Sequence, residues 1–200
     1  MKQTVLAMLI LLAHICSYAQ HQGRILKIDD IHVACVNQYF DECFSQQEKE
    51  NWCWAACIQM VLKYQGIRVS QSEIAKRTFG DNKNATANGY DIINSINGWH
   101  IEKQHIIANQ DYKIDFSSLA GDLAYKYPVI IGLKNTAENV GHAVILTHLY
   151  YKTDHSGKIY PYKAVCADPA KSYKRELIFE WADFYQQINT IVHIYLNQIL

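Results

Sequence analysis

Proline is nearly absent from this sequence, with three in 200 residues (128, 161 and 169), and glycine occurs only nine times. No Pro- or Gly-rich linker divides the chain, and it holds no internal repeat or low-complexity tract. Excess charge of one sign is missing as well: 19 basic residues stand against 19 acidic ones. No global field therefore favours nucleic acid or an anionic membrane. No apolar run approaches the roughly 20 residues that cross a bilayer core. What is present is half apolar and about a fifth charged, the make-up of a globular chain able to bury a core. The length predicts one domain, or two closely packed lobes sharing a site.

Residues 1–19 read as a cleaved secretory signal. Lys2 is the positive n-region, Val5 to Ala13 the short apolar core, and Ser17-Tyr18-Ala19 puts small residues at −3 and −1 of a cut before Gln20. His14 and Ile15 precede Cys16 where a lipidation signal needs small residues. The expectation is export to the periplasm or the exterior, with residues 20–200 as the domain. Loss of Lys2 leaves 18 basic residues against 19 acidic, a net charge of −1.

Export makes the cysteine count informative. Cys35, Cys43, Cys53, Cys57 and Cys166 remain, an odd number in a disulfide-permissive compartment. Cys35 and Cys43, eight apart in a segment without helical pattern, are the expected bridge. Cys57 and Cys166 read as small buried thiols or a second bridge. No pair has Cys-x-x-Cys spacing, so no metal site is expected.

Periodicity divides what composition leaves whole. Trp54 to Gln65 has Ala56, Met60, Val61 and Tyr64 at helical spacing and stops at Gly66. Ser70 and Glu73 form a capping-box pattern for a second helix ending near Gly80. Tyr90 to Ile96 and Phe116 to Tyr125 read as shorter helices. After Pro128 the pattern changes to strands: Val129 to Leu133, Ala143 to Tyr151, Ile159 to Ala167, Glu176 to Glu180 and Thr190 to Leu196. Residues 152–158 read as a hairpin turn. Helices first and an antiparallel sheet after is the α+β order, with a helical lobe at about 45–127, a sheet lobe at about 128–200 and a cleft between them.

The stretch Gln47 to Gln65 carries the chemistry. Cys53 sits just before the apolar helix, flanked by Trp52 and Trp54. A helix N-terminus holds roughly half a positive charge and unpaired N–H groups, which favour thiolate, the nucleophilic form. A buried structural cysteine is the competing reading. Gln47, Cys53 six residues on, and Trp54-Ala55 resemble the active-site helix of papain-like cysteine peptidases. The wording Asn51-Trp52-Cys53-Trp54-Ala55-Ala56 looks most like their bacterial branch of C39-like and AvrRpt2-type (C70) peptidases. Downstream, Gly141-His142-Ala143-Val144 resembles the strand with the family's catalytic histidine, and Asp168-Pro169 its orienting aspartate.

That resemblance implies a papain-like α+β fold and a hydrolase without cofactor. Cys53 would attack, His142 move the proton, Asp168 orient His142, and Gln47 with the Cys53 N–H hold the oxyanion. Gln46 is one residue out of register. Gly141 is expected to line the substrate cleft by leaving room for substrate backbone, and Trp52 either to line it or to pack in the core or between the lobes. The implied partner is a peptide or protein substrate, with no nucleic acid, no membrane-embedded segment and a monomeric chain. The same triad also serves amidases, peptidoglycan-stem hydrolases and acyl transferases, toxins and effectors among them, and a non-catalytic binding module is a further alternative. His148 falls on the same strand face as His142 by period two, three pairs further along, and reads as structural; His100, His105 and His155 show no ligand spacing. Asp154 falls in the hairpin tip, and Tyr150, Tyr151, Tyr160 and Tyr162 read as cross-strand packing.

Overall fold

The computed structural model describes residues 24–28, 30–36, 39–134, 141–170 and 176–198; the expected signal segment, residues 1–19, lies outside them. In chain order the elements are β1 (Arg24–Ile28), β2 (Ile31–Cys35), α1 (Phe40–Cys43), α2 (Cys53–Tyr64), α3 (Gln71–Phe79), α4 (Gly89–Ile96), β3 (His100–Ile101), β4 (Gln104–Asp111), α5 (Phe116–Ala124), β5 (Val129–Leu133), β6 (His142–Thr153), β7 (Ile159–Ala167), β8 (Glu176–Glu180), α6 (Trp181–Gln187) and β9 (Ile188–Gln198).

Ten of the twelve residues of α2 are buried. A helix that is apolar nearly all round has to lie inside the molecule, and α2 packs against β6 with α3 beside it. Ile58, Met60, Val61 and Leu62 are fully enclosed, and each such side chain contributes about 1.5–3 kcal/mol of burial. Gly66 takes a positive φ of 91° just past the helix end, a conformation that ends a helix at little steric cost to glycine. α3 opens on the capping box read from sequence, Ser70 with Glu73, and α4 on a second one that was not read, Asn88 with Asp91.

The sheet is antiparallel in the order β1-β2-β6-β5-β9-β4-β3, with β7 on β6 and β8 outside it. The long strand β6 organises the rest: β5 pairs with residues 142–146, β2 with 148–151, and β7 runs along 145–153. The β6–β7 turn is held by Asp154 Oδ1, which accepts from Ser156 N–H (2.9 Å) and Lys158 N–H (3.1 Å). The Ser156 hydroxyl, which also donates to Oδ1 (2.7 Å), does most to hold the carboxyl near the bottom of the carboxylate range, at about 2, with these backbone bonds adding to it.

Helices packed on an antiparallel sheet are the expected α+β class, but the division of the chain differs from the one expected. β1 and β2 precede every helix, and β3 and β4 lie within residues 45–127, yet all four join the sheet. β4 is an inner strand, paired with β9 along eight residues. Helix α6 interrupts the strand region as well. His193 of β9 donates from Nδ1 to Asp122 Oδ2 (2.5 Å), and Tyr195 OH donates to Asp122 Oδ1 (3.1 Å), tying α5 to the sheet.

The Cys35–Cys43 bridge is not formed: each is a separate buried thiol. The intervening chain turns into α1, which carries Cys43 to the side of α2, where Lys63 is a neighbour. Cys35 stays on β2 opposite His148 of β6. Period two also fails along β6, where a bulge falls between Leu146 and His148 and shifts the pleat. His148 is therefore out of phase with His142; it bonds Thr147 Oγ1 (3.0 Å), and burial lowers its pKa.

At the sheet centre, Gly132 of β5 faces Thr190 of β9. A Cβ at 132 would sit 2.6 Å from Thr190 Cγ2, a stiff β-branched methyl that cannot swing aside freely. Gly132→Ala is expected to cost about 1–3 kcal/mol through overpacking. Adding Thr190→Ser, which removes the methyl, is expected to return much of it in a denaturant-unfolding double-mutant cycle.

Candidate active site

Cys53 is the first residue of α2, and Trp52 before it makes no side-chain cap. Helix geometry leaves the first N–H groups without a carbonyl one turn back, and here no cap side chain takes them. The sulfur, 8 % exposed with its residue, accepts a hydrogen bond from Ala143 N–H at 3.4 Å. That N–H belongs to the start of β6, so the α2–β6 packing brings helix start and strand start together.

His142, immediately before Ala143, lies beside Cys53 on the cavity wall, near enough for the sulfur to act on its imidazole. Its Nε2–H donates to Asp168 Oδ1 at 2.7 Å. The β6–β7 register, with Ile145 opposite Ala167, sets the strand end carrying Asp168 beside the strand start carrying His142. Asp168 is 3 % exposed, and its Oδ1 also accepts from Ala170 N–H (2.9 Å). Burial alone would depress the His142 pKa. The hydrogen bond to Asp168, the nearby sulfur of Cys53 and the charges on both outweigh it and lift the imidazole from its ordinary 6.5 to about 9. Cys57, one turn below Cys53, and Cys166, two before Asp168, are fully enclosed, and burial pushes both thiols up.

Gln47 is tied to this corner by its backbone, whose N–H donates to Pro169 O at 2.9 Å. Its amide points elsewhere than expected for an unengaged oxyanion donor. Nε2 donates to Lys49 O (3.0 Å) and Glu50 O (2.5 Å), which uses both of its hydrogens, while Oε1 is buried without a partner.

The cleft is a cavity of about 280 Å³ with Cys53, His142 and Ala143 on its wall. The loop between α3 and α4 supplies Thr86, Ala87 and Asn88; α4 adds Gly89, Asp91 and Ile92; β5 and β9 form the floor with Ile130, Gly132, Thr190 and Val192. Gly141 lines it as expected. Trp52 does not: it is 1 % exposed, its Nε1–H donates to Lys83 O (2.9 Å), and Lys49 lies over its ring. Trp54 lines the cavity instead and donates from Nε1 to Ala85 O (3.1 Å). Asn51 N–H reaches Asn84 Oδ1 (2.9 Å). The start of α2 thus clamps the loop that builds one wall. The wall residues Asn88, Asp91 and Thr190 were missed; the Asn-x-x-Asp capping spacing was the one available signal for the first two. Among the described residues no group of three metal-ligating side chains converges, and no helix is long and apolar enough to cross a membrane.

Residues 31–192 match the Peptidase_C39 like family. The chain belongs to that family. The match falls on the C39-like side of the resemblance seen in the sequence, and the family makes this a cysteine peptidase by descent. Among solved structures, the peptidase domain of Streptococcus ComA, a bifunctional ABC transporter involved in quorum sensing, is similar at a TM-score of 0.53 and 15 % identity. The likeness covers 77 % of this chain and 96 % of that domain, and it shows the papain-like fold. No curated protein matches the chain.

A raised histidine pKa has a definite sign for stability. The folded state holds the His142 proton more tightly than an unfolded histidine near 6.5, so the stabilisation is complete below that pH and lost as pH rises through about 9. NMR titration is expected to place the His142 midpoint near 9. Asp168→Asn removes the carboxylate charge and lowers that midpoint; an unchanged value in the variant would uncouple the two residues.

Proposed function

We propose that this C39-like protein hydrolyses peptide bonds through Cys53, His142 and Asp168, outside the cytoplasm. The observation that carries the reading is the chain of contacts from sulfur to imidazole to buried carboxylate at an uncapped helix start. In the reaction, the Cys53 thiolate forms a C–S bond to the substrate carbonyl carbon, and the carbonyl electron pair moves to oxygen. Collapse breaks the C–N bond as the His142 imidazolium gives its proton to the leaving amine. Water then attacks the thioester, His142 takes its proton, and the carboxylic product leaves with the thiolate restored.

The oxyanion is held by the Cys53 N–H and by Gln47. The ties from Gln47 to Lys49 and Glu50 keep the amide at the helix start, and one of its N–H groups turns from its carbonyl to donate a hydrogen bond to the oxyanion as charge develops. Asp168 keeps the imidazole oriented and the imidazolium stabilised. Export rests on the Lys2, Val5–Ala13 and Ser17–Ala19 pattern.

Iodoacetamide labelling with peptide mapping is expected to mark Cys53 rapidly at mildly acidic pH and to spare the enclosed Cys57 and Cys166. Cys53→Ala should abolish peptide turnover with the fold intact, and full turnover by that variant would overturn the assignment. Gln47→Ala is expected to lower kcat by about 10² or more, the loss typical of one oxyanion donor. Turnover seen only with an amine acceptor would replace hydrolysis by acyl transfer.

A further inference from the structure

One carboxylate in the cleft has no part in the chemistry proposed for Cys53. Asp91, the third residue of α4, is half-buried on the cavity wall. Its Oδ2 accepts from Asn88 N–H at 3.0 Å, closing the capping box. Among the described residues its Oδ1 accepts no hydrogen bond. Among the described residues the lining holds no lysine or arginine, and His142 is its one titratable base.

The charges can be weighed. The imidazolium of His142 is matched by the Asp168 carboxylate that it contacts. The start of α4 adds roughly half a positive charge, less than the full negative charge of Asp91. The wall away from the catalytic pair is therefore net negative. Beside it the buried side chains of Ile92, Ile130 and Val192 make an apolar strip along the lining, next to Thr190. An apolar strip beside a single carboxylate suits a long aliphatic stem with a positive tip.

We propose that Asp91 makes this cavity a subsite for a cationic side chain of the peptide substrate, on the acyl side of the scissile bond. The inference rests on the peptidase reading. With Oδ2 committed to the helix cap, one carboxylate oxygen is left for a ligand. That geometry suits the point charge of lysine better than the two-pronged fork of arginine.

The test uses peptidyl fluoromethyl ketones that differ only in carrying lysine, arginine or norleucine at the first, second or third acyl-side position. The readout is the rate of Cys53 labelling by mass spectrometry. At one position lysine is expected to label about tenfold faster than norleucine, with arginine between them. In Asp91→Asn, which keeps an oxygen for the helix cap, the lysine-to-norleucine ratio is expected to fall toward one. Asp91→Ser, a second neutral capping side chain, should behave alike, whereas Asp91→Glu should keep the ratio above one. A wild-type protein without lysine preference at any position overturns the subsite, as does a preference that survives in both neutral variants. In either case labelling of Cys53 by the norleucine probes leaves the peptidase reading standing. Failure of every peptidyl probe to label Cys53 overturns both.

Discussion

The site depends on a helix end that has been left without a cap. α3, α4 and α5 each begin with a side chain that accepts from their first turn: Ser70, Asn88 and Asp115. Such a cap is worth about 1 kcal/mol. α2 has none, because Trp52 occupies the position and its indole has no acceptor to offer. The N–H groups and the positive end of the dipole are left facing the sulfur and the cleft. Stability for this unfinished start comes from elsewhere, through the burial of the helix body and the two indole hydrogen bonds from Trp52 and Trp54 to the neighbouring loop.

Those two bonds also join the helix start that carries Cys53 to the wall of the cavity. The loop they hold runs into Asn88, which caps α4 and sets Asp91 on the cavity wall. Movement of the α2 start would carry the loop with it, and with the loop the polar side of the cleft. His142 and Asp168 belong to the antiparallel β6–β7 pair, on which α2 packs, so Cys53 and His142 face each other where helix start and strand start come together. Ala143 N–H, bonded to the sulfur at 3.4 Å, is a tie across that junction.

Local signals made much of this legible. The α2 pattern, the Ser70–Glu73 box and the strands after Pro128 were readable because each is written in contiguous residues. Cys53, His142 and Asp168 were named from their motifs, and the structure brings the three together. Elements whose reason for being is a distant partner were not readable. β4 is a polar stretch, Gln104 to Asp111, with only Ile106 and Ala108 buried, and it is a strand because β9 pairs with it. α1 hid in a segment without period, and so made Cys35 and Cys43 look like a bridge. Trp52 and Trp54 are equivalent in sequence; which indole meets the cleft follows from a half-turn of helix geometry. The Gln47 amide was identified by spacing, but its engagement with Lys49 and Glu50 depends on a tight turn that no residue pattern announces.

The cleft floor shows how closely folding and recognition share residues. Gly132 has no side chain because Thr190 occupies the space on the neighbouring strand. Thr190 Oγ1 in turn accepts from Gln110 Nε2 at 2.8 Å, joining β4 to β9 beneath the cavity. Gly89, at the start of α4, comes so near this pair that a Cβ there would lie 2.2 Å from Gln110 Nε2. A larger side chain at 89 or 132 would push against the Thr190–Gln110 pair before it met any substrate. The depth of the cavity is therefore fixed by packing in the sheet, which leaves the rim residues Thr86, Ala87 and Asp91, and not Gly89, as the part of the lining that can change without disturbing the core.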